Sequence, residues 1–347
     1  MKYVFIRADA SLTIGSGHVM RCLTLADKLA KQGEKVFFVT RDWPGNMAAY
    51  IEDKGYPVLI LPALQGDLLQ NEFQLLAESW QQDAEETISR IKALQPDPGD
   101  TLLVVDHYGL DEKWEKALRP IASKIMVIDD LANRPHDCDI LRDQNYYKNM
   151  EERYRGLVPF HCRMELGPKY ALLREEFYHA KKNLRVRNGV VRHLLIFFGG
   201  SDPTGETMKA LQALERLNRP DIGVDVVVGM SNPYRREIEQ FCGRLPSIHY
   251  HCQVDQMAEL MARADLAVGA GGTATWERCY LGLPTLVITV AENQVEMVRD
   301  LAETEAIEYL GTSETVDAEG LAVSLRKAIS HPQNLAEMSR RALALFE

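Results

Sequence analysis

Short apolar runs alternate with helical patterns along most of this 347-residue chain, and that alternation leaves few folds open. Tyr3–Ile6, Lys35–Val39, Pro57–Leu61, Leu102–Val105 and Lys124–Ile128 read as strands of a first series. His193–Phe198, Val224–Val228, Ile248–Cys252, Leu266–Val268 and Pro284–Val290 read as strands of a second. Strands that are apolar along their length and separated by helix-length segments predict parallel sheets covered on both faces. The intervening helices are expected near 18–30, 46–54, 71–94 and 112–122 in the first series. The pattern loosens between Asp139 and Arg187, which reads as a connection ending in a charged helix, Arg174–Arg187. In such sheets ligands bind beyond the carboxyl ends of the strands. The segments Gly15–His18, Arg41-Asp42, Asp106–Tyr108 and Asp129-Asp130 are all predicted strand ends, so they should share one rim.

The turn that closes the first βα unit is Ile14-Gly15-Ser16-Gly17-His18-Val19-Met20-Arg21-Cys22. Glycine tolerates positive φ and lets backbone approach a ligand closely. The first N–H groups of the helix that follows lack intrahelical partners and suit an anion. His18 stands at the positive end of that helix, which disfavours imidazolium and makes it a candidate general base. Capping of the helix by the same histidine is the competing reading. The loop is not a dinucleotide fingerprint, because Met20 occupies the third glycine position, and it lacks the Gly-Lys-Ser/Thr of a Walker A loop. No redox cofactor or ATP is therefore expected.

Hydrophobic and charged fractions of 46% and 26% are those of a globular protein large enough for two cores. A net charge of −10 argues against a nucleic-acid partner. No apolar run reaches membrane-spanning length, and the N-terminal residues enter a strand without the shape of a signal peptide. Six cysteines without C-x-x-C spacing fit a reduced, cytoplasmic protein with small buried thiols.

Two loops of the second series, Gly199-Gly200-Ser201 and Gly271-Gly272-Thr273, each place paired glycines and a hydroxyl before a helix. Bare N–H groups, a hydroxyl and a helix dipole suit a diphosphate without a metal. Ordinary capping of a βα turn is the alternative. Glu277, four residues after Thr273, lies on the same helix face and can accept two ribose hydroxyls; a solvated surface glutamate is the plainer reading. His136-Asp137-Cys138-Asp139 has metal-ligand residue types without partners at ligand spacing, so no metal site is expected. Tyr108, at a strand end, is placed to donate to substrate or to orient His18. Met20 and Leu23 read as core.

The combination of Arg7-Ala8-Asp9-Ala10-Ser11 with Ile14–Arg21, Asp106-His107-Tyr108-Gly109, Asp129-Asp130, Cys138–Leu141, Gly156–Phe160, Tyr170–Phe177, Gly199–Asp202 and Glu292-Asn293-Gln294 resembles the UDP-sugar hydrolases of pseudaminic acid biosynthesis. The likeness runs over nearly the whole chain. It implies an α/β fold of GT-B type, with two Rossmann-like domains facing across a cleft. The domains are then expected at 1–170 and 171–332, with a helix at 333–347 crossing back to brace the first. The resemblance further implies hydrolysis of UDP-2,4-diacetamido-2,4,6-trideoxy-β-L-altropyranose to UDP and the free sugar, without a metal. By position, His18 looks like the base that activates water, and Tyr108 and Asn293 look like its neighbours in the sugar pocket. Gly17, Arg21, Gly200 and Ser201 are expected to bind substrate. Gly271, Gly272 and Thr273 look like the diphosphate cradle, and Glu277 resembles a ribose-binding glutamate. Arg142 stands where the family pattern leads one to expect an apolar residue.

UDP is a good leaving group, so donors need only hold its developing charge. Water attacking from the opposite face inverts the anomeric centre, and one basic histidine suffices where ordinary glycosidases use paired carboxylates. Two other functions fit the same motifs. A GT-B transferase gives the sugar to an acceptor, for which an apolar or basic patch is expected; Trp43-Pro44 beside Arg41 is the one candidate. A UDP-sugar-binding protein without catalysis would make His18 dispensable. The pattern is compatible with a monomer.

Overall fold

A computed structural model describes residues 2–64 and 71–347, which divide into two compact units. The first holds seven strands: β1 (Tyr3–Ala8), β2 (Lys35–Arg41), β3 (Val58–Leu61), β4 (Thr101–Asp106), β5 (Lys124–Ile128), β6 (Ile140–Asp143) and β7 (Arg163–Leu166). They pair in parallel in the order β3-β2-β1-β4-β5-β6-β7. The second unit holds β8 (His193–Phe197), β9 (Gly223–Val228), β10 (Ile248–Cys252), β11 (Leu266–Ala270), β12 (Thr285–Thr289) and β13 (Glu308–Thr312). These are also parallel, in the order β10-β9-β8-β11-β12-β13. Each order reverses direction once, between β1 and β4 and between β8 and β11. Those reversals are where a doubly wound sheet opens a crevice for ligand.

The continuous apolar strands have a simple cause. In β1, Val4 and Ile6 enter one buried cluster with Val19, Cys22 and Ala26 of the helix Gly17–Lys31. Phe5 enters the cluster on the other face with Trp114 and Leu118 of the helix Glu112–Leu118. Each such side chain contributes about 1.5–3 kcal/mol on burial, and both faces need one.

The loosely patterned region from Asp139 does not merely connect, as the sequence pattern leads one to expect. It supplies β6 and β7, the last two strands of the first sheet. Four-residue strands carrying Arg142, Asp143, Arg163 and Glu165 hide the apolar signal. The charge has a use: Arg142 Nε donates to Glu165 Oε2 across the strand pair at 2.8 Å. The charged helix is shorter than expected, Glu175–Lys182. The 71–94 helix breaks at Ser79 into Glu72–Glu78 and Trp80–Lys92.

The change of unit falls between Leu172 and Leu173, and residues 146–148 belong with the second unit. The last helix, Pro332–Ala344, also belongs there. Ser339 Oγ donates to Gly282 O at 2.6 Å, and Phe346 packs edge-on against Tyr280.

Candidate active site

In the first unit the crevice between β1 and β4 is built on a buried acid–base pair. Gly15 turns the chain after β1 with φ of 78°, in the region glycine favours. Gly17 is exposed, opens the helix with ordinary φ, and has open space where a Cβ would stand. His18 follows, 6% exposed. Its Nδ1 lies 2.6 Å from Oδ1 of Asp106, the last residue of β4. Burial alone would raise the Asp106 carboxyl, but Arg21 and then His18 outweigh it and hold the group well below the usual carboxylate range. A carboxylate only accepts, so Nδ1 carries the proton and Nε2 is left as the basic nitrogen.

Arg21, one turn along the helix, supports the same carboxylate. Its Nε donates to Asp106 Oδ2 at 2.6 Å and its Nη2 to Oδ1 at 2.5 Å, while Nη1 reaches Asp130 Oδ2 at 3.1 Å. It is 6% exposed. The sequence places Arg21 on the substrate; the structure turns it inward, where it positions Asp106. Tyr108 stands with its ring edge-on to His18, centroids 4.6 Å apart, and its hydroxyl donates to Asp130 Oδ1 at 2.7 Å. Burial and then Asp130 push the phenol far above its ordinary value, so it stays protonated. Orientation of His18 thus falls to Asp106, not Tyr108.

Phe73 is a lining residue that periodicity hid, because it reads as the apolar face of a helix. Its ring packs against Tyr108 and His107 at 5.2 Å each and lies 6.1 Å from His18. Beneath the loop lies a second charged group that never reaches the rim. Arg41 is fully buried and pairs with Asp83 at 2.6 Å and Glu86 at 2.9 Å. Asp83 also takes Arg7 at 2.8 Å and the indole N–H of Trp114 at 2.9 Å. Asp9 accepts from Arg7, from the Arg41 amide and from the indole N–H of Trp43. Trp43 is therefore part of the interior, 5% exposed, and not the apolar surface a membrane-facing transferase would need. Of the aspartate pair after β5, Asp129 accepts the Ala132 amide, whereas Asp130 belongs to the site.

The residues of metal-ligand type are otherwise engaged. His136 faces Glu115 at 2.7 Å, Asp137 and Asp139 hold Arg119, and Cys138 lies beside Cys162. Among the described residues no three His, Cys, Asp or Glu side chains are arranged to hold a metal ion.

In the second unit the loops after β8 and β11 differ in what they offer. Gly200 and Ser201 are exposed, but Ser201 does not head a helix. The helix Glu206–Leu217 starts later, and Asp202 accepts its first amides, Glu206 N at 3.0 Å and Thr207 N at 2.8 Å. The protein's own carboxylate occupies that helix entrance. The loop after β11 has no such plug. Thr273 precedes the helix Ala274–Tyr280 with its side chain exposed and making no capping bond. A Cβ on Gly271 would stand 2.4 Å from Val298 Cγ2, so only glycine lets this loop pack there. Gln294 lies against the same loop and ties back to the Val290 amide at 3.1 Å. It is a neighbour that the sequence quoted in a motif without assigning. Asn293 is exposed in the turn Glu292–Gln294. Glu277 is not a free surface glutamate: Arg174 Nη2 lies 3.2 Å from its Oε1. Burial pushes its carboxyl up, and Arg174 opposes that.

Residues 194–347 match the Glycosyltransferase family 28 C-terminal domain. The chain is 30% identical over 304 residues to the UDP-2,4-diacetamido-2,4,6-trideoxy-beta-L-altropyranose hydrolase of Campylobacter jejuni, covering 87% of this chain and 97% of that protein. It is 30% identical over 314 residues to the uncharacterized protein MJ1062 of Methanocaldococcus jannaschii, and the match spans 86% of this chain but only 57% of that longer relative. Among solved structures, MurG of Acinetobacter baumannii superposes with a TM-score of 0.67 at 16% identity, covering 99% of this chain and 95% of that one. The fold is thus the two-domain α/β architecture of GT-B glycosyltransferases.

Proposed function

The chain belongs to the family of the UDP-2,4-diacetamido-2,4,6-trideoxy-β-L-altropyranose hydrolases, and from that premise we propose that it cleaves this UDP-sugar with water, releasing UDP and the free amino sugar. The reaction is a step toward pseudaminic acid, runs without a metal and inverts the anomeric centre. It takes place in the cytoplasm.

The observation that carries this reading is the buried His18–Asp106 pair at the ligand crevice of the first sheet. His18 Nε2 takes a proton from water as the oxygen attacks the anomeric carbon. Asp106 fixes the ring and stabilises the imidazolium that forms, and Arg21 fixes Asp106. Tyr108, kept neutral and tied to Asp130, shapes the sugar pocket. Asn293 contacts the sugar, and the exposed backbone at Gly17 and Gly200 and the hydroxyl of Ser201 contact the substrate. The Gly271-Gly272-Thr273 loop holds the diphosphate as charge builds on the leaving oxygen. Glu277 accepts the ribose hydroxyls, with Arg174 steadying the carboxylate.

The test follows the UDP-sugar by proton NMR with purified protein, chelator and no acceptor, beside His18→Ala. UDP release with the inverted anomer formed first, lost in the variant, is expected. UDP release only after an acceptor extract is added would make the protein a transferase, which the matched glycosyltransferase domain also fits. Tight binding without turnover in either condition would leave a binding protein.

A further inference from the structure

Cys138 lies two residues before β6 and Cys162 one residue before β7, two adjacent parallel strands of the first sheet, with Sγ atoms 3.5 Å apart. We propose that this pair is a thiol–disulfide modification site, oxidised by a small peroxide with Cys162 as the attacking thiol and Cys138 as the resolving one. It is independent of the hydrolase chemistry, which uses neither residue.

The division of labour follows from burial and hydrogen bonding. Cys138 is fully buried, whereas Cys162 is half-buried, so an oxidant reaches Cys162 first. The contact with Cys138 lowers the Cys162 thiol; burial opposes this and the Leu141 backbone adds to it. The same contact, with burial, holds the Cys138 thiol well above its ordinary value. A lowered, accessible thiol beside a protonated partner is the arrangement of a reactive cysteine with a resolving neighbour.

The step balances. The Cys162 thiolate attacks one peroxide oxygen, the O–O bond breaks, and the leaving hydroxide takes a proton to become water, giving a sulfenic acid. The Cys138 sulfur then attacks the sulfenic sulfur, its S–H proton passes to the departing hydroxyl as the S–O bond breaks, and a second water leaves. Two electrons pass from the sulfurs to the peroxide.

Disulfide formation needs the sulfurs to close from 3.5 Å to about 2 Å. The backbones there are tied by Arg163 N donating to Asp139 O at 2.9 Å. The other cysteines differ. Cys22, Cys242 and Cys279 are buried, and half-buried Cys252 faces the thioether of Met230 at 3.5 Å, which cannot close a disulfide.

The test treats the reduced, full-length protein with hydrogen peroxide under native conditions, alkylates it, and maps its peptides without reduction. A linked peptide joining Cys138 to Cys162, released by dithiothreitol and formed before Cys252 is modified, is expected. In Cys138→Ala the Cys162 sulfenic acid should be trapped by dimedone, and in Cys162→Ser Cys138 should stay unmodified. Modification of Cys252 with Cys138 and Cys162 both still alkylated would overturn the proposal, as would a link that forms only in denaturant. The wild-type map decides the matter even where a variant fails to fold.

Discussion

His18 Nδ1 and Asp106 Oδ1 lie 2.6 Å apart, and Arg21 grips both oxygens of the same carboxylate. The imidazole is thereby fixed in one tautomer and one orientation, by a group whose own charge is secured by a guanidinium. Three buried polar side chains from two segments distant in sequence act as one unit.

Asp106→Asn should expose that dependence. An amide in place of the carboxylate can present an N–H to Nδ1 and so select the wrong tautomer, leaving Nε2 protonated. We expect kcat for UDP release to fall by about 10²–10⁴-fold, with KM within a few-fold of wild type. Steady-state kinetics on protein shown by circular dichroism to be folded would check it. An unchanged kcat would remove Asp106 from the mechanism.

Tyr108 separates packing from chemistry. Its ring stacks edge-on to His18 and its hydroxyl is spent on Asp130. Tyr108→Phe keeps the ring beside His18 and should lower kcat by less than about tenfold, since the hydrogen bond it removes goes to Asp130 and not to the imidazole. Tyr108→Ala, which opens space beside the imidazole, should cost considerably more. Equal losses in both variants would show that the hydroxyl itself acts in the reaction.

The second unit offers a different measurement. If Glu277 receives the ribose, Glu277→Gln should weaken UDP by about 10–100-fold, the range for a hydrogen bond to a charged group. Its effect on 2′-deoxy-UDP should be much smaller. Arg174→Gln should blunt the same discrimination, because Arg174 holds the Glu277 carboxylate at 3.2 Å. Calorimetric titration of both nucleotides checks this. Equal weakening of the two nucleotides would assign Glu277 a structural role.

These residues also mark where the sequence is legible. The strand–helix alternation, the parallel sheets and the strand-end loops follow from local pattern, so His18, Asp106 and Tyr108 could be placed on one rim. The partners of those residues could not. Nothing in local pattern distinguishes an Arg21 that reaches substrate from one that turns inward to Asp106, 85 positions away. Phe73 looks like helix core because it occupies a core-like phase, and only the tertiary fold sets it beside His107 and Tyr108. Strands β6 and β7 were obscured for the opposite reason: their charged residues pair across the sheet and break the apolar run. The Gly199-Gly200-Ser201 loop shows a further limit. Its composition suits an anion, yet Asp202, the next residue, supplies the anion itself.

The buried network of Arg7, Asp9, Arg41 and Asp83 predicts how the protein responds to acid. Burial alone would raise the Asp83 carboxyl, but Arg7 and Arg41 outweigh it and hold the group below its ordinary value of 3.8. In the window below that value the unfolded chain binds the proton more readily than the folded one, so stability rises with pH there. The contribution is fully present above the unfolded pKa and is lost as pH falls through the folded one. At neutral pH, Asp83→Asn leaves the buried Arg7 and Arg41 short of a counter-charge and should cost about 3–5 kcal/mol, the range for breaking one partner out of a buried ion pair. Below about pH 4 the wild type begins to lose the charge part of this contribution, so the gap between the two proteins should narrow. Urea unfolding at pH 7 and at pH 3 measures both gaps. A gap that stays the same width at both values would mean that Asp83 acts through shape and hydrogen bonding, not through its charge.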